Sequence, residues 1–99
     1  MRWSAVPNWQ IELSDKAEAT LLRLDKPVRL RILRFLRERL FNHPDPVALA
    51  EPLVGEFKGL FRFRVGDYRL ISDIQGNQLL IIVVEVRHRG EAYRKGLKK

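Results

Sequence analysis

Cysteine is absent from the 99 residues. Without a thiol there is no disulfide framework, no thiolate metal ligand and no cysteine nucleophile. Histidine is nearly absent: His43 and His88 lie far apart in sequence and make no metal-binding spacing. No metal and no cofactor is therefore expected. Long apolar runs are lacking too. The longest, Leu79 to Val84, is far short of the roughly 20 residues that a spanning helix needs, and no signal-peptide pattern is present. These absences lead to the expectation of a soluble, cytoplasmic protein with no membrane partner, folded as one domain over residues 1–99.

Acidic side chains are also in short supply. Twelve Asp and Glu stand against 19 Lys and Arg, a net charge of +7, which favours polyanionic partners such as nucleic acid or an acidic protein. The surplus is concentrated from Gly55 onward, where ten Lys and Arg face five Asp and Glu.

What the chain does contain is periodic. Trp9, Ile11 and Leu13 alternate with Gln10 and Glu12, which predicts a short strand. Ser14 has the character of a helix N-cap, with Asp15 and Glu18 suited to the positive end of the helix dipole. Ala17, Leu21 and Leu24 then form the stripe of a short amphipathic helix that stops near Asp25. Pro27 opens a second helix whose buried stripe is Val28, Ile32, Phe35, Leu36 and Leu40, leaving Arg29, Arg31, Arg34, Arg37 and Arg39 on exposed faces. Asn42 to Pro46 is loop by composition, and Val47 to Gly55 is an irregular connection. Strands follow at Phe61–Val65, Tyr68–Ile74 and Leu79–Val86, the last expected to be central and buried on both faces, with Gly76-Asn77 as its preceding turn. The order β-α-α-β-β-β predicts an α+β fold: an antiparallel sheet of about four strands, with an N-terminal helical hairpin packed on one face and a basic face opposite.

The run from Phe61 to Arg69 carries the chemistry. Phe61, Phe63 and Val65 share one face of their strand while Arg62 and Arg64 share the other. A two-residue turn at Gly66-Asp67, with positive φ at glycine, sets Val65 opposite Tyr68 and Arg64 opposite Arg69. Like charges directly opposite are destabilising, so the pair implies either an anionic ligand or neutralisation by Asp67, Asp73 or Glu56. The chain then ends in a basic segment containing Arg89 and Tyr93.

On these residues the chain resembles the RelE/ParE superfamily, toxins of type II toxin-antitoxin systems. The resemblance runs from Trp9 to Tyr93. It rests on the helix opening Leu13 to Ala17, on Asp45-Pro46 and Pro52-Leu53-x-Gly55, on Phe61-Arg62-Phe63-Arg64-Val65-Gly66-Asp67-Tyr68-Arg69, and on Arg89-Gly90-Glu91-Ala92-Tyr93. It implies a RelE-like mRNA interferase: a ribosome-dependent, metal-independent endoribonuclease that cleaves mRNA in the A site by attack of a 2′-hydroxyl on the adjacent phosphate. By the same resemblance the family's two strand lysines fall on Arg62 and Arg64, its hairpin arginine on Arg69, its C-terminal arginine on Arg89 and its base-stacking tyrosine on Tyr93. Arginine is in effect never deprotonated, so Arg64 is no general base. His88 and Glu91 are the secondary candidates for that proton, although strand parity turns His88 away from Arg87 and Arg89. The implied partners are an acidic RelB-like antitoxin, the ribosome with its mRNA, and operator DNA reached through the antitoxin. The alternatives are a ParE-like inhibitor of DNA gyrase without nuclease activity and a degenerate toxin that only binds its antitoxin.

Overall fold

A computed structural model describes Arg2–Ser4 and residues 9–90. Its elements are β1 (Arg2–Ser4), β2 (Gln10–Leu13), α1 (Asp15–Arg23), α2 (Lys26–Arg34), β3 (Glu51–Pro52), β4 (Phe61–Val65), β5 (Tyr68–Gln75) and β6 (Leu80–His88). The strands form one sheet in the order β1-β2-β6-β5-β4-β3. The α+β class stands, with two corrections to the antiparallel sheet of about four strands. Among the described residues there are six strands, because Arg2–Ser4 and Glu51–Pro52 add short edges. And β2 runs parallel to β6, Ile11 beside Ile81. The reason is the crossover: two helices return the chain to β4 in the direction it had in β2, and two tight turns later β6 shares that direction.

Both helices form for the reasons their sequences give. The Ser14 hydroxyl accepts the Ala17 N–H at 3.1 Å and caps α1. The same hydroxyl donates to the Val84 carbonyl at 2.8 Å, and the Ser14 N–H donates to Val83 at 2.9 Å, tying the helix start to β6. Helix α2 continues through a π-helical turn at Phe35–Leu40, where the Phe41 N–H reaches back to Leu36. In an α-helix a four-residue spacing overshoots a full turn by about 40°. The wider turn offsets this drift and keeps Ile32, Leu36 and Leu40 all pointing inward, fully buried. Val28 and Phe35, expected in that stripe, are half-buried and pack against its edge.

The core lies between the helices and one face of the sheet, with Ile11, Phe63, Leu70, Ile81 and Val83 buried completely. β6 is central, as expected, but is not buried on both faces: Leu80, Ile82 and Val84 remain partly accessible. Leu79 is not in the strand. It takes a left-handed conformation (φ 52°) that closes the turn Gly76–Gln78, the role expected of Gly76-Asn77. Its carbonyl is held by the Gln10 N–H at 2.8 Å. Among the described residues no helix is long and apolar enough to cross a membrane.

Candidate functional site

The β4–β5 turn forms as its sequence requires. Gly66 carries φ 60° while Asp67 does not have positive φ, the pattern of a type II′ turn. Val65 therefore pairs with Tyr68 and Arg64 with Arg69. The register then extends one strand further. Arg69 faces Arg87 on β6, so Arg64, Arg69 and Arg87 form one row across three strands. The row beside it, Phe63, Leu70 and Val86, points into the core. A one-residue step along the sheet thus separates the hydrophobic interior from a line of guanidinium groups.

A β-bulge makes this alignment. From the Gly76–Gln78 turn to Ser72–Val83 the β5–β6 register is regular, but beyond it Ile71 pairs with Glu85 and Val84 is left over. Without that extra residue Val86 would face Arg69 and Arg87 would point into the core. The carbonyl of Val84 at the bulge is the one that receives the Ser14 hydroxyl. The helix cap and the arginine row therefore share a fixed point.

Three arginines in a row repel one another, and the sheet answers with two carboxylates on the same face. Glu51, Arg62, Ile71 and Glu85 form the next row, with a carboxylate at each end. Glu51 accepts from Arg62 Nε at 3.0 Å and stands 3.4 Å from Arg64 Nε. The hydrogen bond from Arg62, with the charges of Arg62, Arg64 and Arg69, holds its carboxyl below the ordinary value. Glu85 accepts from Arg87 Nε and stands 3.4 Å from Lys16 Nζ. Burial pushes its carboxyl up, but the Arg87 hydrogen bond and the charges of Arg87 and Lys16 outweigh this and leave it lowered. Glu51 and Glu85 thus neutralise part of this charge, whereas Asp67 and Asp73 are engaged elsewhere. Asp67 instead faces Arg89, and Asp73 accepts from Gln75.

The members of the row differ in accessibility. Arg64 is 56% exposed at its side chain, whereas Arg69 and Arg87 are 5% and 8% exposed as residues. Phe57, brought over this face by the turn Gly55–Phe57, lies 5.1 Å from the Arg87 guanidinium. Arg87 Nη1 is buried and has no hydrogen-bond partner. A buried donor left unused is costly, and here it sits beside two further guanidinium groups. The arrangement suits an anion with several oxygens.

Of the residues singled out by sequence, Arg62, Arg64 and Arg69 meet on this face. Arg89 lies just beyond β6 and is tied to the hairpin turn: its N–H donates to the Asp67 carbonyl at 2.7 Å and its Nη1 is 3.8 Å from the Asp67 carboxylate. His88 pairs with Tyr68 and packs edge-on against its ring at 5.3 Å, on the opposite side of the sheet from Arg87. Glu91 and Tyr93 lie outside the described residues. The sequence does not single out Arg87, Glu51 or Glu85. Arg87 shares strand parity with Arg89, and that was its only signal.

Comparison with known proteins places this geometry in context. Residues 11–93 match the family described as ParE toxin of type II toxin-antitoxin system, parDE. Toxin RelE of Mycobacterium tuberculosis is 26% identical over 86 residues, covering 87% of each chain. Toxin RelG of the same organism is 33% identical over 51 residues, which is 52% of this chain and 59% of RelG, so that match spans little more than half of the relative. Among solved structures, the toxin-antitoxin complex RelBE2 of M. tuberculosis contains a chain that superposes with a TM-score of 0.70 at 25% identity, over 80% of this chain and 88% of that one.

Proposed function

Because the chain belongs to the ParE toxin family of type II toxin-antitoxin systems, we propose that it acts as the toxin through RNA cleavage: a metal-independent endoribonuclease that cuts mRNA in the ribosomal A site. The observation that carries this reading is the Arg64–Arg69–Arg87 row with an ionised carboxylate, Glu51, at its open edge.

The chemistry follows from those groups. The ribose 2′-hydroxyl attacks the adjacent phosphorus; the 2′-O–P bond forms, the P–O5′ bond breaks, and a 2′,3′-cyclic phosphate and a 5′-hydroxyl result. Charge on the phosphoryl oxygens increases on the way to the transition state. Guanidinium groups already fixed by burial stabilise it without reorganising, which is the larger part of what such a site supplies. Arg69 and Arg87 fill that role, and the exposed Arg64 closes on the phosphate as it arrives.

Arginine cannot accept the 2′-hydroxyl proton, so a carboxylate must. Glu51 and Glu85 are ion-paired to members of the row, and their surroundings separate them. Glu85 is held by Arg87 and Lys16 and is 17% exposed, which suits a structural counter-ion. Glu51 is 48% exposed and within reach of the approaching substrate, which suits the proton acceptor. Arg62 positions Glu51 rather than touching substrate. Arg89, beside the turn, stabilises the departing 5′-oxygen, which takes its proton from water, and Tyr93 stacks on a base. An acidic antitoxin would silence the toxin by covering the arginine face.

The family match itself favours a second reading, inhibition of DNA gyrase without cleavage. End-mapping of ribosome-bound mRNA separates the two. Wild type should produce discrete cuts, and Arg64→Ala, an exposed change, should lower cleavage about 10²–10³-fold with the fold intact. Gyrase inhibition with uncut mRNA would replace this reading by the second. Neither activity, with antitoxin binding retained, would mean a degenerate toxin.

A further inference from the structure

At the Arg64 end of the row, the exposed face of the α2 segment and the β4–β5 turn form a cleft of about 380 Å³. Arg31, Arg34 and Arg39 line it from the helix and Arg64 from β4, with Phe35 as an apolar floor and Glu38 as the one acidic side chain. The Arg31 guanidinium lies flat against the turn at Gly66. A Cβ at that glycine would stand 2.8 Å from Arg31 Nη1, so the guanidinium packs directly on the turn backbone. Among the described residues no carboxylate forms an ion pair with Arg31, Arg34 or Arg39. Four positive groups are thus gathered around one negative group in a concave space.

We propose that this cleft is a second RNA-binding site, which takes a backbone phosphodiester outside the scissile position. The proposal rests on the nuclease reading for its substrate class and extends it to a second place on the molecule. Three observations favour RNA over an acidic protein segment. Arg64 lines the cleft and also belongs to the candidate catalytic row, so a strand lying along the row continues into the cleft. Planar guanidinium groups match the paired oxygens of a phosphodiester. The volume exceeds what one phosphate needs and admits the attached ribose against Phe35. The phosphodiester comes either from the message flanking the cut or from ribosomal RNA; the cleft chemistry is the same for both.

The test is binding by the full chain, measured by fluorescence anisotropy on a 2′-O-methylated oligoribonucleotide and by co-sedimentation with ribosomes, each over a salt series. The variant is Arg34→Gln/Arg39→Gln, both exposed. The control is Arg23→Gln/Arg37→Gln, which removes the same charge from exposed positions outside the cleft. The cleft variant should bind about tenfold more weakly, with a salt dependence shallower by about one phosphate contact, and the control should change far less. Loss on the oligonucleotide assigns the site to the message, and loss on ribosomes alone assigns it to ribosomal RNA. Equal weakening in both variants, or none in either, overturns the proposal. So does unchanged RNA binding together with poly-glutamate binding that the cleft variant loses. Binding to 2′-O-methylated RNA needs no chemistry. A wild type that binds in this way but never cuts would sink the nuclease reading and leave the cleft standing, while a wild type that cuts with the cleft variant unchanged would do the reverse.

Discussion

The two faces of the sheet are one residue apart and do opposite work. Phe63, Leu70 and Val86 form a cross-strand row that is 0–3% exposed and packs beneath the helices. Arg64, Arg69 and Arg87, each the immediate neighbour of one of these, form a row that crowds positive charge. The first lowers the free energy of the fold by leaving water; the second raises it through repulsion and an unused buried donor. Strand alternation allows both in the same three strands, because away from the bulge successive side chains point to opposite faces. What this teaches is that the arginine row is held by its neighbours. Its positions are set by the core row, the bulge at Val84 and the Ser14 cap, and its charge is met by Glu51 and Glu85.

Breaking the core row should have the largest effect. Phe63→Ala removes a fully buried ring and should cost about 3–5 kcal/mol in denaturant unfolding, so most of the protein loses its structure and all activity goes with it. On the other face the effect should move from stability to chemistry. Glu51→Gln is expected to lower mRNA cleavage about 10²–10⁴-fold while leaving the unfolding midpoint nearly unchanged, because this carboxylate is exposed. A variant of normal activity would return the proton to another group.

Glu85 should behave differently from Glu51. Glu85→Gln leaves the buried Arg87 without its charged partner and should cost about 1–3 kcal/mol of stability. The pH dependence has a definite sign. The folded-state carboxyl lies below its ordinary value of 4.5, so its contribution is present above that pH and is lost as pH falls through the folded value. Stability of the wild type should therefore drop in acid, and Glu85→Gln should flatten that limb when unfolding is followed from neutral to acidic pH. The smallest effect belongs to Asp67→Ala. It removes an exposed contact of 3.8 Å to Arg89 and should change stability by less than about 1 kcal/mol, within a few degrees of melting temperature.

Much of this comparison was legible in the sequence. The alternation of Phe61 to Val65 separates the two faces, and Gly66-Asp67 sets Arg64 against Arg69, because a two-residue turn leaves only one register. Ser14 and the Ile32, Leu36, Leu40 spacing mark the helices. Arg87 was not legible. Its place opposite Arg69 depends on one extra residue at Val84, and nothing in the apolar run Leu79 to Val84 marks where a bulge falls. Glu51 was hidden for another reason: it lies in the two-residue edge strand Glu51–Pro52, too short to show alternation. The parallel pairing of β2 with β6 follows from the crossover direction, which local patterning does not carry.

The central claim is that the arginine face holds a phosphate while a neighbouring 2′-hydroxyl attacks it. It is tested most directly with ribosome-bound mRNA carrying a single 2′-deoxy nucleotide on the 5′ side of a mapped cut. Cleavage at that bond should disappear, and the all-ribose message should yield a 2′,3′-cyclic phosphate end. A cut that persists at the deoxy position would contradict it.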